Sequence, residues 1–410
     1  MSPVGQEKPG RMGVLIGAAM VTYFLVALEI IIMVSPFALV FYSVVHPILD
    51  GLARSPSTRW LTAFFLPHLL MPPTRLLARL RVLGSGFFIG GSLVFLVCAG
   101  QVYLGKLLNW GVATRGCYRL VRHPQYAGLA LAGAGLTILW PRFLTLVLLG
   151  LMLFLYYLLA YDEECRMLSR YGETYKQYRD RTGMFWPRLS TRPTPLHPLR
   201  VQTALLVLAA LFGGAIAIGF GLRAYTVAHL PLARLGQIDV ITLIRAELAL
   251  AQEVLSDVTA NVRVAERLRS MGGDNTTRVL AYMLPVDYVM QGLIANTGEE
   301  WQLFRRHQTV WMITDNLLHP FAHIQRRPMQ HHGMTRAPTS HDEQIMQRRV
   351  IFLEIRADHP LTTPQTDFAI NNERTPRFFV DVQVHTHELL QLKDTPSGHE
   401  WGGGLPMPTF

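Results

Sequence analysis

Four long apolar runs dominate the first half of the chain and predict membrane-spanning helices. They are Met12–Val45, Gly84–Leu104, Tyr126–Tyr161 and Val201–Gly221. About 20 helical residues cross the ~30 Å hydrocarbon core of a bilayer, so the first, second and fourth runs each predict one helix. The third run is long enough for two shorter helices that meet at Trp140-Pro141. The pattern therefore predicts a mainly α-helical, polytopic membrane bundle with about five transmembrane helices.

Two other apolar features do not add to that count. Trp60–Pro73 is short and rich in proline, so we interpret it as interfacial or re-entrant rather than as a crossing. The first run, after Arg11, is too long for the apolar core of a cleaved signal peptide and predicts a retained helix, bent at Ser35-Pro36.

Charge is divided unevenly between the two halves. Residues 1–220 hold 20 Lys and Arg against 8 Asp and Glu, whereas residues 221–410 hold 18 against 20. Basic residues concentrate in 106–124 and 162–200, which predicts that both segments are cytoplasmic and that the C-terminal domain is periplasmic, in a bacterial inner membrane. The side of the loop 46–83 stays open. Because the basic excess lies between membrane segments, it indicates contacts with membrane lipids and not with nucleic acid.

Polar residues at the two ends of the third run form the most specific pattern in the chain. Arg122-His123-Pro124-Gln125-Tyr126 opens the run, and Asp162-Glu163-Glu164 follows it. Further on stand Tyr171–Tyr178 and Trp186-Pro187-Arg188. Because a helical hairpin returns to its starting side, we expect the cationic and imidazole groups to lie beside the carboxylates at the membrane surface.

This ordered set resembles the isoprenylcysteine carboxyl methyltransferase and phospholipid methyltransferase superfamily, over roughly Gly111 to Pro187. The resemblance implies that the polar ends bind S-adenosylmethionine. The residues it assigns to the cofactor are Arg122, His123, Pro124, Gln125, Tyr126, Glu163 and Glu164. Arg122 or His123 would hold the cofactor carboxylate, and Glu163 or Glu164 its ammonium or ribose hydroxyls. Since the methyl group is already activated, in-line placement of the acceptor suffices and no nucleophilic residue is assigned.

One departure from the family pattern concerns the methyl acceptor. Family members usually carry a basic residue in the turn before the acidic pair, but Tyr156–Tyr161 is aromatic and apolar here. Tyr157 and Tyr161 are therefore the candidate acceptor contacts. One hypothesis is a methyltransferase acting on a lipophilic substrate, either an isoprenylcysteine-like carboxylate or a phospholipid. The other is a non-catalytic accessory subunit of a membrane complex, which docks to a protein partner through residues 225–410.

The C-terminal part, residues 225–410, predicts a soluble α+β domain. Ile238–Met271 follows a helical period and predicts one long amphipathic helix, and Arg278–Gln325 predicts two or more helices. Val350–Arg356 and Phe378–His387 alternate in the manner of strands and predict an antiparallel pair with one solvated face. The predicted domains are thus 1–198, methyltransferase-like; 199–224, a final transmembrane helix and linker; and 225–410, soluble.

The histidines of the C-terminal part do not predict a metal site. His319 and His323 are four residues apart, and further histidines stand at His331-His332 and at His385 and His387. A metal site usually needs three or four converging ligands with supporting groups around them, which this spacing does not provide. Cys98, Cys117 and Cys165 all lie in the membrane half, so no disulfide framework is predicted either.

Overall fold

The computed structural model describes residues 46–68, 70–108, 114–188, 201–271, 274–286, 288, 294 and 347–395. The first predicted span, Met12–Val45, lies outside these residues, as do the segment 326–344 and the four histidines from His319 to His332. The chain divides into two compact units. We call residues 1–31 and 78–220 the membrane unit, and residues 32–77 and 221–410 the sheet unit.

Helices make up most of the described chain. They are α1 (His46–Arg54), α2 (Arg75–Leu107), α3 (Pro124–Leu139), α4 (Phe143–Arg181), α5 (Val201–Ala228), α6 (Leu248–Ala260), α7 (Val262–Arg269) and α8 (Pro364–Asp367). Among the described residues, α2, α4 and α5 are long and apolar enough to cross a membrane. The mainly helical class is confirmed, but the predicted count of five spans is not.

The predicted break in the third apolar run is confirmed. Helix α3 ends at Leu139 and α4 begins at Phe143. Pro141 has no N–H and disfavours helical geometry in the residue before it, so Trp140 turns out of the helix with ψ at 77°. The backbone N–H of Trp140 still closes the last turn on the carbonyl of Leu136, at 2.7 Å. The sequence thus forms a hairpin whose two polar ends face the same way.

Small residues bring α2 and α3 into backbone contact. A Cβ atom at Gly91 would lie 2.4 Å from the backbone nitrogen of Ala132, and one at Gly135 would lie 2.4 Å from that of Phe88. Such distances exclude any side chain unless a helix moves. Close packing of this kind is how helices associate in a bilayer, where apolar burial gives no net driving force.

The sheet unit contains a six-stranded sheet in the order β1-β2-β3-β4-β5-β6. The strands are β1 (Leu232–Leu235), β2 (Ile238–Thr242), β3 (Thr277–Pro285), β4 (Gln347–Arg356), β5 (Glu373–Gln383) and β6 (Leu389–Asp394). Strands β2 and β3 are parallel and are joined through α6 and α7, whereas the other neighbouring pairs are antiparallel. The predicted α+β character of the C-terminal part is confirmed.

The long helix predicted over Ile238–Met271 is wrong. The segment forms strand β2, a 3₁₀ turn at Arg245–Glu247, and then the two helices α6 and α7. Its apolar positions fit a helical period, but Val240 and Ile241 are both buried because the sheet is covered on both faces. The second break follows from Asn261, whose side chain accepts from the N–H of Arg263 and starts α7.

Two further predictions for the C-terminal part need correction. The helices predicted over Arg278–Gln325 are wrong for residues 278–285, which form β3; most of the rest lies outside the described residues. The antiparallel pair, β4 with β5, is confirmed, but β5 ends at Gln383 and not at His387, and its solvated face is not confirmed. Phe379 and Asp381 on that face are buried, since Phe379 packs in a cluster with Leu70 and Val227, and Asp381 pairs with Arg349 at 2.7 Å.

The segment Trp60–Pro73 packs within the sheet unit. Arg223, near the end of α5, is buried and donates to the carbonyl oxygens of Phe64 and Phe368. The backbone N–H of Met71 donates to the carbonyl of Leu243 at 3.2 Å. The loop before α2 is therefore tied to the sheet and to the end of α5.

Candidate functional site

The two polar ends of the hairpin meet, as the sequence predicts. His123 immediately precedes α3, while Glu163 and Glu164 lie on α4. The His123 ring places Nδ1 3.6 Å from Oε2 of Glu163 and Nε2 3.3 Å from Oε1 of Glu164. The His123 imidazole and the two carboxylates, which lie about 40 residues further along the chain, therefore form one cluster.

Arg122 is held by groups of the protein through two of its guanidinium nitrogens. Its Nε donates to Oε1 of Glu164 at 2.6 Å, and its Nη1 donates to the backbone carbonyls of Arg179 and Thr182. Both Arg122 and Glu164 are buried. Charge-assisted hydrogen bonds of this kind are strong and directional. Of the two groups expected to hold a cofactor carboxylate, Arg122 is thus already used to fix Glu164 and the end of α4.

His123 is held less firmly. Only 3% of the residue is exposed, and within the described part of the chain neither ring nitrogen makes a well-aligned hydrogen bond. Its partners are the two glutamates, at 3.3 Å and 3.6 Å. Because a buried polar atom with an imperfect hydrogen bond is costly, the ring is suited to a polar group brought by a ligand.

The two carboxylates differ in access. The side chain of Glu163 is 40% exposed, whereas that of Glu164 is almost fully covered by Arg122 and His123. Glu163 is therefore the carboxylate that a cationic ligand could reach, and Glu164 is the counterion of Arg122.

Aromatic rings line the same cluster in a row. His123 stacks on Tyr126 with ring centroids 5.6 Å apart, and Tyr126 stacks on Tyr156 at 5.2 Å. The Phe185 ring also contacts His123, with centroids 6.0 Å apart and the planes tilted by 45°. Aromatic faces next to a carboxylate suit a cation such as a sulfonium or an ammonium.

Residues 94–174 match the phospholipid methyltransferase family. This family belongs to the isoprenylcysteine and phospholipid methyltransferase superfamily, so the resemblance drawn from the motifs is confirmed for that segment. The match covers about a fifth of the chain. A search of curated proteins found no match, and a search of solved structures found none either.

Two other residues of the methyltransferase-like motif, Pro124 and Gln125, have structural roles at the start of α3. Pro124 is the buried first residue of α3, where its missing N–H costs nothing. Oε1 of Gln125 lies 2.8 Å from the hydroxyl of Tyr118. Burial raises the pKa of Tyr118, so this hydroxyl stays a neutral donor. These contacts fix the start of α3 beneath the cluster.

Some of the site was missed from the sequence. Tyr156, not Tyr157 or Tyr161, stacks on Tyr126. Among the ring contacts of the described residues, none joins Tyr157 or Tyr161 to the row, and their contact with an acceptor stays a prediction. Phe185 was missed because it lies outside the motifs. The helical period of α4 could have selected Tyr156, since it precedes Glu163 by seven residues, or about two turns.

Proposed function

We propose that this chain is an integral-membrane methyltransferase that transfers the methyl group of S-adenosylmethionine to a lipophilic acceptor. The observation that carries the proposal is the buried His123 ring, without a well-aligned hydrogen bond, beside the accessible Glu163 and the stacked Tyr126. This cluster lies at the polar end of an apolar hairpin, within the segment that matches the methyltransferase family.

The donor set fits the groups of the cofactor. Glu163 would pair with its ammonium group, and His123 would bond to a carboxylate or hydroxyl oxygen, which satisfies a ring nitrogen. Tyr126 would offer an aromatic face to the sulfonium. Arg122 and Glu164 would act behind them, by holding His123 and the end of α4 in place. When bound, the cofactor supplies a methyl group that is already activated, so the protein has to orient the two substrates and exclude water.

The acceptor would enter from the bilayer along the hairpin. The turn Tyr156–Tyr161 offers aromatic and apolar side chains and no cation to pair with a carboxylate. The lack of a cation in this turn favours a phospholipid amine over an isoprenylcysteine-like carboxylate as the methylated group.

The same proposal includes a topology. The order of the elements supports it: α2 follows the loop 46–74 and precedes the Arg122 cluster, and α5 follows the cluster and precedes the sheet. The loop 46–74 and the sheet belong to one compact unit, which supports crossings by α2 and α5 between the same two sides. The cluster would then be cytoplasmic, where S-adenosylmethionine is made, and the sheet unit would be on the opposite side. A protein partner for the sheet unit stays a prediction.

Methyl transfer itself tests the proposal. The purified protein is placed in vesicles that contain either an amine-bearing phospholipid or an isoprenylated cysteine with a free carboxylate, and is given S-adenosylmethionine with a tritiated methyl group. We expect tritium in the extracted amine lipid, and a loss of about tenfold or more in Glu163→Gln. The Glu173→Gln variant is the control, because Glu173 is an exposed carboxylate on the same helix. Absence of label from both lipids and from a total membrane-lipid extract would refute the methyltransferase function.

A further inference from the structure

We infer that the cofactor pocket extends beyond the segment that matches the family, to Phe185, whose ring packs against the adenosine of the cofactor. The inference rests on the proposed function. The family match ends at residue 174, yet the chain after α4 returns to His123. Phe185 is the only described aromatic outside residues 94–174 that contacts the His123 ring.

The segment Thr182–Arg188 is fixed to the motif by its backbone. The N–H of Arg122 donates to the carbonyl of Gly183 at 2.8 Å, and the N–H of His123 donates to the carbonyl of Met184 at 3.1 Å. Val121 and Gly183 form a parallel bridge. The position of Phe185 is therefore set by the same two residues, Arg122 and His123, that begin the site.

Gly183 makes this path possible. A Cβ atom there would lie 1.8 Å from the carbonyl oxygen of Trp186, so any side chain would open the turn. Behind the turn, Thr182 donates through Oγ1 to the carbonyl of Tyr178 at 2.8 Å, and the Tyr178 hydroxyl donates to the carbonyl of Tyr118 at 2.6 Å. These bonds tie the segment both to α4 and to the loop before the motif.

The order of the rings indicates which part of the cofactor Phe185 meets. The row runs from Phe185 through His123 and Tyr126 to Tyr156, and Tyr156 lies in the apolar part of α4. An acceptor that comes from the bilayer must meet the methyl group at the Tyr156 end. The opposite end, at Phe185, is then left for the adenosine, whose flat base stacks well on an aromatic ring.

Calorimetric titration of the full-length protein in detergent tests this assignment with two ligands, S-adenosylmethionine and S-adenosylhomocysteine. Both carry adenosine, but only the first carries the sulfonium cation. For Phe185→Ala we expect about a tenfold weaker Kd for each ligand, because base–aromatic stacking is lost. Phe185→Tyr, which keeps the ring, should restore both affinities.

Trp186→Ala is the matched control, since Trp186 is the next residue and is 83% exposed. It should bind both ligands as the wild type does. Equal thermal stability of the two alanine variants without ligand would show that the loss at Phe185 is local. Unchanged binding in Phe185→Ala, or a loss confined to S-adenosylmethionine, would overturn the assignment of Phe185. The proposed function would still stand in that case, provided that the wild type binds S-adenosylmethionine. No binding by the wild type would remove both.

Discussion

Nε of Arg122 lies 2.6 Å from Oε1 of Glu164, and both side chains are buried. Removing one partner of such a pair leaves an uncompensated charge and costs roughly 3–5 kcal/mol. We therefore expect Arg122→Ala to lower the melting temperature of the detergent-solubilised protein strongly. The control is an exposed pair on α4, the helix that carries Glu164: Arg166 and Asp162, 3.0 Å apart. Arg166→Ala should cost at most about 1 kcal/mol. Similar losses in the two variants would contradict the structural role of Arg122.

Because α2 and α3 are in backbone contact, two neighbouring glycines of α2 differ sharply in the space available for a side chain. A Cβ atom at Gly91 would lie 2.4 Å from the nitrogen of Ala132, whereas one at Gly90 would meet nothing within 4 Å. We expect Gly91→Ala to destabilise the protein by about 1–3 kcal/mol, the usual cost of overpacking. Gly90→Ala should be neutral or slightly stabilising, since alanine favours a helix. Thermal unfolding in detergent compares them, and equal behaviour would mean that the helices are not packed in this way.

Stability of the sheet unit should depend on pH through Asp367. Burial, and a hydrogen bond with Asp239, raise the pKa of Asp367 from 3.8 to about 6, although Arg278 and Arg234 oppose the shift. The folded state then holds a proton that the unfolded state has released. The stability that this bound proton contributes is present in full below about pH 4 and is lost as the pH rises to about 6.

The Asp367→Asn variant should lose this decrease in the free energy of unfolding between pH 4 and 6, measured by circular dichroism of the full chain. Asp394→Asn serves as the control, because Arg267 holds the pKa of Asp394 below its usual value and it titrates at lower pH. A wild-type profile that persists in Asp367→Asn would show that another group is responsible.

Topology can be tested with three exposed serines in a background without the native cysteines. Ser57 and Ser270 belong to the sheet unit, and Ser169 lies on the polar part of α4. With a membrane-impermeant maleimide, we expect Ser57→Cys and Ser270→Cys to react in intact spheroplasts, and Ser169→Cys to react only after lysis. Different labelling of Ser57→Cys and Ser270→Cys, or early labelling of Ser169→Cys, would be incompatible with the proposed crossings.

The features that were predictable from sequence are those set by local patterns. The length of the apolar run and Pro141 determined the hairpin, and the hairpin brought His123 to Glu163. The alternation of apolar and polar residues predicted strands β4 and β5. These patterns operate over one or two elements, so a single sequence is enough to show them.

The features that were missed depend on tertiary packing. Val240 and Ile241 fit a helical period equally well, and only burial on both faces of the sheet makes Ile238–Thr242 a strand. The stacking of Tyr156 on Tyr126 depends on the rotation of α4 against α3. The hydrogen bond from Arg122 to Glu164, and those from Arg122 to the end of α4, depend on where the chain goes after α4.

Calorimetric titration of the purified protein with S-adenosylmethionine tests whether His123 and Glu163 bind the cofactor. We expect one site of micromolar affinity that weakens about ten- to a hundredfold in both His123→Ala and Glu163→Gln, because each removes a charge-assisted hydrogen bond. Glu173→Gln should bind as the wild type does. Heats that show no binding to a folded wild-type protein, or equal affinity in all four proteins, would contradict the assignment of His123 and Glu163 as the cofactor site.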